Sequence, residues 1–505
     1  MSNQASGPES GSLEDIVAVK KAKAAELRAR GVDCYPSRSE RTHSCADVVR
    51  LGSPLEAGGH GTEQVICAGR LIGLRDMGKT IFAHLQDGSG KCQLYFKKDN
   101  LKEDAFGLIK KDLHTGDFIG VAGTVFKTKT GEPTVSVVSL TLLAKALRPM
   151  PEKWHGLKDV ETRYRSRHLD LMSSPEVRDN FAKRSLIIST IRKTFDALGF
   201  MEVETPILLT QAGGATARPF KTHHNALGAD MVLRIATELY LKRLIIGGFD
   251  KVYEIGRIFR NEGIDTRHNP EFSMLEAYQA YGDYEQMAAL FERVVTDCAQ
   301  ALGIDSVEYG GKTLSLKAPF KRLYLPEAWE KHCGEKIDNI LKGKGFNRAG
   351  LLALAAKLDV PCGEKTPGAK IFERIFDAKI LEHLDDLTFV FDHPTAITPL
   401  AKLKAGGEGI VERFECYAGR QELANAYTEL NDPQDQRERF EEQARQRREE
   451  GDDEAEVLDE DFVQAMEAGM PPTGGIGFGI DRLVMLLTGQ TSIREVILFP
   501  TLKPD

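Results

Sequence analysis

The densest group of residues suited to chemistry lies in the string GRIFRNEGIDTRHNPEFSMLEAYQAY, residues 256–281. A run typical of a β-strand ends at Arg260 and leads through Glu262 into a polar loop that contains His268. A second strand-like run follows, and four of its side chains alternate onto one face: Phe272, Met274, Glu276 and Tyr278. Because an unpaired carboxylate such as Glu276 is costly inside a buried strand, the pattern favours a functional site. An edge strand that faces solvent is the alternative.

Two glutamates flank a predicted hairpin in the string VERFECYAGRQELANAYTEL, residues 411–430. With Ala418-Gly419 as a two-residue turn, Glu415 would lie opposite Glu422. Like charges directly opposite each other destabilise a strand pair, whereas a hard divalent cation between them would make the arrangement favourable. Magnesium bound with nucleotide phosphates is the natural candidate, and a solvated pair on a different turn register is the alternative. In this register three further polar residues share the other face of the second strand: Asn425, Tyr427 and Glu429.

A third group is the glycine-rich string PPTGGIGFGIDRLVMLLTG, residues 471–489. Its glycines would let a ligand approach a strand closely, and the strand runs into a helix with leucines at core spacing. Arg482 falls in the first turn of that helix, where the helix dipole and a guanidinium can both hold phosphate. A structural role for Arg482 is the alternative.

The string GLRDMGKT, residues 73–80, matches the phosphate-binding pattern G-x-x-x-x-G-K-[ST] letter for letter. A P-loop needs a strand before it and a helix after it, so that the helix N-terminus faces the phosphates. The residues that follow, IFAHLQDGSG, form instead a short strand-like run that ends in a turn. We therefore predict a loop between two strands here rather than a nucleotide site.

The elements that must position these groups fall into several domains, because 505 residues are too many for one core. Residues 1–60 are expected to be a tail and a helical extension, with a helix over 13–31 and irregular structure over 32–60. Residues 61–147 contain five short alternating runs and one helical segment, which predicts a small barrel of the OB type. Residues 147–159 carry two prolines and read as a linker, and an α+β stretch follows.

Composition narrows the class of protein. The formal net charge of −8 argues against indiscriminate nucleic-acid binding, although a local basic face remains compatible with it. The eight cysteines form no C-x-x-C pair, which fits a reducing cytosol and suggests no zinc ribbon. The sequence contains neither a long apolar run of the kind that spans a membrane nor a secretory signal at its start.

Together these strings resemble the three signature motifs of the class II aminoacyl-tRNA synthetases in order and spacing, and at family level the class II lysyl-tRNA synthetases. The resemblance runs from about residue 13 to the end, and the strings that carry it are GGATARPF (213–220), TELYLKRLIIGGFDKVYEIGRIFRNEG (237–263), RHNPEFSMLEAY (267–278), NAYTELNDP (425–433) and PPTGGIGFGIDRLVMLLT (471–488). It implies an OB-fold anticodon-binding domain over 61–147. It also implies a catalytic domain over 148–505, built on an antiparallel sheet flanked by helices, with a variable insertion at about 311–390.

The resemblance also implies a set of site residues, with Arg260 and Arg482 as the catalytic groups. The implied ATP ligands are Arg260 on the α-phosphate, Glu262 on the adenine amino group, Phe272 stacked on the ring, His268 and Arg482 on the outer phosphates, and Glu415. Glu415 and Glu422 would bind Mg²⁺. The implied lysine ligands are Glu238 on the α-amino group, Tyr278 and Glu429 on the ε-ammonium, and Glu276, Asn425 and Tyr427 in the pocket wall. The implied anticodon ligands are Arg75, Phe82, Gln93 and Glu132.

The reaction implied is the activation of L-lysine by ATP and its transfer to the 3′ end of tRNA(Lys), by a cytoplasmic homodimer whose interface includes residues 184–208. Two departures from the family pattern are Tyr427, where Phe is usual, and the string FDHPTAITPLAK at 391–402. A related enzyme that attaches lysine to a protein is the main alternative, but such paralogues typically lack the N-terminal barrel. A non-catalytic OB protein fused to an inactive synthetase domain is disfavoured by the intact charged residues.

Overall fold

The computed structural model describes residues 12–150, 157, 159–215, 217–406, 409–450 and 459–504. The chain forms two compact units, Met1–Lys158 and Asp159–Asp505. The division between them falls in the proline-containing segment 147–159, of which residues 151–156 and 158 lie outside the described part, as do residues 1–11 of the expected N-terminal tail.

Five strands of the N-terminal unit close into a barrel in the order β1-β2-β3-β5-β4. These strands are β1 (His60–Asp76), β2 (Thr80–Asp87), β3 (Gly90–Lys97), β4 (Phe118–Lys127) and β5 (Pro133–Ala144). Side chains alternate inward and outward along them, and Ile81, Leu94 and Phe96 are among those buried inside. The predicted OB-type barrel is confirmed.

Three α-helices accompany the barrel in the described residues: α1 (Leu13–Ala29), α2 (Cys45–Gly52) and α3 (Glu103–Gly107). Helices α1 and α3 lie where the sequence predicts helical segments. The expectation of irregular structure over 32–60 is wrong, because α2 lies there. Ser44 and Asp47 form a capping box at the start of α2, and Cys45, Val48 and Gly52 bury one face of this short helix at helical spacing.

The P-loop-like string GLRDMGKT spans the turn between β1 and β2. Met77 N–H donates to the Thr80 carbonyl oxygen over 2.8 Å, and Gly78 has φ of +88°, as a tight turn between antiparallel strands requires. A strand follows the turn where a P-loop would need a helix. The prediction of a loop between two strands is confirmed.

Eleven α-helices belong to the described part of the C-terminal unit. They are α4 (Val160–Arg165), α5 (Arg167–Ser173), α6 (Pro175–Ala197), α7 (Glu238–Ile246), α8 (Tyr284–Leu302), α9 (Leu325–Cys333), α10 (Arg348–Lys357), α11 (Gly368–Lys379), α12 (Pro433–Glu450), α13 (Glu460–Glu467) and α14 (Ile480–Thr488). The expected insertion contains α9 to α11, which pack around a separate apolar cluster that includes Trp329 stacked on Phe372 at 4.8 Å. None of the helices in the described residues is both long and apolar enough to cross a bilayer.

An eight-stranded sheet lies at the centre of this unit, in the order β14-β17-β18-β19-β20-β11-β10-β6. Its strands are β6 (Met201–Glu202), β10 (Lys251–Phe259), β11 (Glu271–Ala280), β14 (Lys321–Tyr324), β17 (Thr388–Pro394), β18 (Ile410–Ala418), β19 (Gln421–Thr428) and β20 (Thr473–Gly479). Smaller sheets use β7 (Leu208–Leu209), β8 (Lys221–His224), β9 (Ala229–Leu233), β12 (Ser306–Tyr309), β13 (Lys312–Ser315), β15 (Leu341–Lys342) and β16 (Gly345–Phe346). The six inner strands of the large sheet pair antiparallel with one another, whereas the edge strands β14 and β6 pair parallel with β17 and β10.

One face of the large sheet packs against α6, α8 and α14. Leu275, Ala277, Ile476 and Phe478 point into that core and are buried. The residues that alternate with them on β11 and β20 point to the opposite face, where the predicted site residues lie. The α+β fold with helices flanking an antiparallel sheet is confirmed.

Candidate active site

A cavity of about 320 Å³ lies on that opposite face, above β11, β19 and β20. Residues from distant parts of the sequence line it: Glu238, Arg260, Glu262, His268, Phe272, Glu276, Tyr278, Glu422, Asn425, Tyr427, Glu429 and Arg482. Of the nucleotide, metal and lysine ligands expected from the sequence, Glu415 is the one that does not line the cavity as described.

The nucleotide end of the cavity gathers cations around an aromatic ring. The guanidinium of Arg260 lies 5.3 Å from the centre of the Phe272 ring. Arg482 donates to the Glu422 carbonyl oxygen over 2.9 Å, and its other terminal nitrogen lies 3.5 Å from Nε2 of His268. The Nδ1 atom of His268 lies 2.9 Å from a carboxylate oxygen of Asp265. This end is therefore suited to a flat base beside negatively charged groups.

Arg260 is the cation with the most capacity left for a ligand. Its buried Nε has no hydrogen-bond partner in the described structure, and a terminal nitrogen reaches only the Ile235 carbonyl oxygen, over 3.5 Å. Burial lowers the pKa of Arg260, and Glu262 and Glu276 partly offset that effect. A buried donor such as this Nε is costly to leave without a partner, so this geometry favours binding of an anion at Arg260.

The opposite end of the cavity is lined by carboxylates. Burial and the nearby Glu238 raise the pKa of Glu276 to about 7, although the Thr237 N–H donates to it over 3.2 Å. The Tyr278 hydroxyl donates to the other oxygen of Glu276 over 3.4 Å. Glu429 is fully buried, and burial raises its pKa to about 8. Such a group of carboxylates is suited to bind ammonium groups.

A buried lysine that the sequence reasoning missed also lies at this end. The Nζ atom of Lys242 is 2.5 Å from a carboxylate oxygen of Glu238, one helical turn earlier on α7, and it also forms an ion pair with Glu429. The only sequence signal was the i, i+4 spacing of Glu238 and Lys242, which is common on exposed helix surfaces.

The hairpin between β18 and β19 differs from the predicted one. The turn residues are Gly419 and Arg420, with φ of +57° and +62°, rather than Ala418 and Gly419. Glu415 therefore lies opposite Asn425, and Glu422 lies opposite Tyr417. The prediction that the two glutamates lie directly opposite each other is wrong, because it placed the turn one residue too early.

An extra residue, Leu423, places Glu422 on the same face of the hairpin as Glu415. The pairing skips it between Cys416–Ala424 and Tyr417–Glu422, which is a β-bulge. Glu422 thus lies on the same face as Asn425 and Tyr427, whereas the sequence predicted opposite faces. Glu415 and Glu422 become diagonal neighbours, at a Cα separation of roughly 7–8 Å.

Electrostatics still couple these two glutamates. Burial raises the pKa of Glu422, and the nearby Glu415 raises it further. Burial alone would raise the pKa of Glu415 as well, but the adjacent Arg413 guanidinium lowers it overall, and the Tyr417 hydroxyl donates to it over 2.5 Å. Within the described residues no cluster of three or more potential metal ligands occurs.

Gly475 on β20 forms the floor beneath Glu429, and its replacement gives a test of the pocket. A Cβ atom there would lie 1.9 Å from Glu429 Oε1 and 2.5 Å from the Tyr278 ring, so both side chains would have to move. With lysine as the substrate that the sequence predicts, we expect Gly475→Ala to raise its KM on the order of 10²-fold, measured by lysine-dependent pyrophosphate exchange. Gly363→Ala is the matched control, because its added methyl would meet nothing nearer than 3.6 Å. An unchanged KM for Gly475→Ala would contradict the assignment of this pocket.

The N-terminal barrel gathers the expected anticodon ligands on one surface. Gln93 donates to the Glu132 carboxylate over 2.7 Å, and Phe82 and Arg75 are directly paired across β1 and β2. Phe82 also begins an aromatic row that the sequence reasoning missed. The row continues through Tyr95, Phe126 and His60 with ring centres 5.0, 5.8 and 5.3 Å apart. Aromatic rings beside polar groups are suited to stack and read unpaired bases.

The comparisons with known families assign the antiparallel-sheet unit and the OB-type barrel together to the class II aminoacyl-tRNA synthetases. Residues 159–503 match the tRNA synthetases class II (D, K and N), and residues 65–143 match the OB-fold nucleic acid binding domain. The chain is 50% identical over 491 residues to the lysine–tRNA ligase of Moorella thermoacetica, which covers 97% of this chain and 98% of the relative. It is 48% identical over 495 residues to that of Enterococcus faecalis, with 97% and 98% covered. The chain therefore belongs to the lysine–tRNA ligase family.

Proposed function

We propose that this chain is a lysine–tRNA ligase that activates L-lysine with ATP and transfers it to the 3′ end of tRNA(Lys). The observation that carries the proposal is that one cavity contains a cationic site at one end and a group of carboxylates at the other. Arg260 offers a half-buried guanidinium whose buried Nε has no hydrogen-bond partner in the described structure, and Glu238, Glu276 and Glu429 offer carboxylates in the same cavity. A lysine zwitterion with a long cationic side chain complements both ends.

The chemistry follows from that arrangement. The lysine carboxylate, already ionised at neutral pH, attacks the α-phosphorus of ATP, and the bond to the bridging oxygen breaks to release pyrophosphate. Arg260 holds the carboxylate and the α-phosphate together and stabilises the charge that develops on phosphorus. No proton has to be removed from the nucleophile, so no general base is needed in this step. Arg482 and His268 hold the outer phosphates, Phe272 stacks on adenine, and Glu262 accepts from its amino group.

The amino acid is held by the opposite end of the cavity. Glu238 binds the α-amino group, and Glu429 and Tyr278 bind the ε-ammonium, while Glu276, Asn425 and Tyr427 complete the wall. The Asn425 amide donates to the Tyr427 hydroxyl over 3.0 Å, a contact that the usual Phe could not make.

We infer that Mg²⁺ is the metal that binds at the nucleotide end of the cavity. Glu415 and Glu422 offer hard oxygen donors on one face of the hairpin, and mutual repulsion with burial raises the pKa of Glu422, which a cation would relieve. When bound, Mg²⁺ would neutralise the phosphate charge of ATP. Two protein carboxylates completed by phosphate oxygens suit this ion, which usually takes few protein ligands.

The direct test is pyrophosphate exchange into ATP, measured with each of the twenty amino acids in turn. We expect exchange with lysine as the clearly preferred substrate. Absence of exchange with lysine, or preference for another amino acid, would overturn the proposal.

The barrel surface is proposed to bind the anticodon through Arg75, Phe82, Gln93 and Glu132. Arg75→Ala is expected to weaken tRNA charging about tenfold, because it removes a contact to unpaired bases, and to leave pyrophosphate exchange unchanged. Lys79→Ala, in the P-loop-like string, is expected to leave lysyl-adenylate formation nearly intact. If folded Lys79→Ala lost pyrophosphate exchange, the string would bind ATP after all.

We also propose that the enzyme acts as a cytoplasmic homodimer. Leu186 and Leu198 around α6, with Met201, Ile207 and Leu208 shortly after it, are large apolar side chains exposed by 37–50% in the single chain. A second copy would cover such side chains. All eight cysteines are free thiols, which fits a reducing compartment.

A further inference from the structure

Lys242 is a fully buried cation between two carboxylates of the amino acid pocket. Its side chain has 0% exposure and bridges Glu238 on its own helix to Glu429, beyond the end of β19. The rings of Tyr278 and Phe462 lie 5.9 and 6.0 Å from its Nζ atom. Burial of an ammonium is costly, so a lysine at this position indicates a specific electrostatic requirement.

A count of formal charges shows what that requirement is. The lysine end of the cavity is lined by three carboxylates, on Glu238, Glu276 and Glu429, and two cations adjoin them: Lys242, buried against two of these carboxylates, and Arg260 in the cavity wall. With all three carboxylates ionised, the formal charge of this group is −1, and a lysine zwitterion, with one carboxylate and two ammonium groups, has a net charge of +1. The substrate and the pocket together are neutral. Without Lys242 the pocket would carry −2, and lysine alone could not neutralise it.

The neighbouring Arg413 does not alter this balance. Its guanidinium forms an ion pair with Glu415, and its Nε donates to the Asn425 amide oxygen over 3.1 Å. The pair contributes no net charge to the lysine end of the cavity.

We propose that Lys242 is a positioning residue of the amino acid pocket, which aligns Glu238 and Glu429 and favours the ionised form of Glu429 before the substrate lysine arrives. This inference rests on the proposed function, since it assumes that lysine is the substrate. Its physical basis is preorganisation: carboxylates that are already aligned, and whose ionised form is already favoured, need less rearrangement and lose fewer protons when the substrate binds.

The groups that face Glu429 make its ionisation sensitive to Lys242. Those groups are Lys242 and Glu238 on α7, Glu276 and Tyr278 on β11, and Tyr427 on β19. Burial raises the pKa of Glu429, and Lys242 opposes that effect, with a resulting value of about 8. Removal of Lys242 would therefore raise the pKa further. The protonated form, which cannot neutralise an ammonium group, would then persist to higher pH.

The test is the pH dependence of Lys242→Met relative to the wild type. We would measure kcat/KM for lysine in pyrophosphate exchange from pH 6.5 to 9.5, since this parameter reports ionisation of the free enzyme. At pH 7.5 the variant is expected to have a kcat/KM for lysine at least about tenfold below that of the wild type. The ratio of the two kcat/KM values should rise again by up to about tenfold per pH unit above pH 8. The ratio removes the titration of the substrate itself. A ratio that does not change with pH would indicate a merely structural role and overturn the proposal.

Two further variants keep the test specific. Arg243→Met removes the adjacent ion pair to Asp459, 3.1 Å long, from the same helix, and its ratio to wild type should not change with pH. If Lys242→Met does not fold, Lys242→Gln removes the charge but keeps a donor to Glu238, and it carries the same expectation. Wild-type enzyme without lysine-dependent exchange would refute the proposed function. Active wild type with a flat ratio for the Lys242 variant would refute only the role of Lys242.

Discussion

Glu429→Gln is expected to abolish most lysine activation while leaving ATP binding largely intact. Glu429 is fully buried at the amino acid end of the cavity, where Lys242 and the substrate ε-ammonium would share its charge. The amide keeps the shape of the side chain but leaves two ammonium groups with one anion fewer between them. Loss of one partner from a buried charge pair of this kind corresponds to a decrease on the order of 10²–10³-fold in kcat/KM for lysine.

The measurement combines lysine-dependent pyrophosphate exchange with equilibrium binding of ATP to the same preparation. Glu412→Gln serves as the matched control, because Glu412 lies on β18 but outside the wall of the cavity. The control should behave as wild type in both assays. An unchanged KM for lysine in Glu429→Gln would refute the assigned role of Glu429, whatever happens to kcat.

Arg260→Lys should reduce the rate of adenylate formation by about 10²–10³-fold although the positive charge is kept. The guanidinium presents a planar set of donors that can hold the attacking carboxylate and the α-phosphate at once, whereas an ammonium acts as a point charge. The Nε of Arg260 has no partner in the described structure, so this donor capacity is free for the substrates.

Single-turnover formation of lysyl-adenylate would measure this effect without contributions from product release. Arg257→Lys is the control, since Arg257 lies on β10 three residues before Arg260 but is exposed, with only a long ion pair of 3.6 Å to Glu271. A loss confined to ATP or lysine affinity, with an undiminished single-turnover rate, would contradict the role of Arg260 in the transition state.

Much of the scaffold could be predicted because its side chains follow simple periods. The alternation of Phe272, Met274, Glu276 and Tyr278 placed all four on one face of β11, and the structure agrees. The barrel followed from short alternating runs separated by turns, and the helix after β20 from the spacing of its leucines. Such local patterns can be read from the sequence because one face of each element is buried, and that face determines which positions must be apolar.

The hairpin and Lys242 could not be predicted for physical reasons. Arg420 adopts a left-handed backbone conformation that is uncommon for residues other than glycine, so the sequence offered no reason to place the turn there. The bulge at Leu423 depends on how the whole strand packs rather than on its own residue type. Lys242 has the spacing of an ordinary surface ion pair with Glu238, and only the assembled fold buries it.

The extra residue at Leu423 also divides the cavity-lining side chains of one strand into two groups. Asn425 and Tyr427 after it lie in the wall where we propose that the amino acid binds, whereas Glu422 before it is a proposed ligand of the metal and nucleotide. Ala424 and Ala426, which alternate with these residues, point to the opposite face of the sheet and are buried in the helix-covered core. The two groups are nevertheless joined through Arg413, whose Nε donates to Asn425 over 3.1 Å and whose guanidinium forms an ion pair with Glu415. A substitution at Asn425 would therefore also disturb the partner of a proposed metal ligand, so that a change at one end of the cavity is felt at the other.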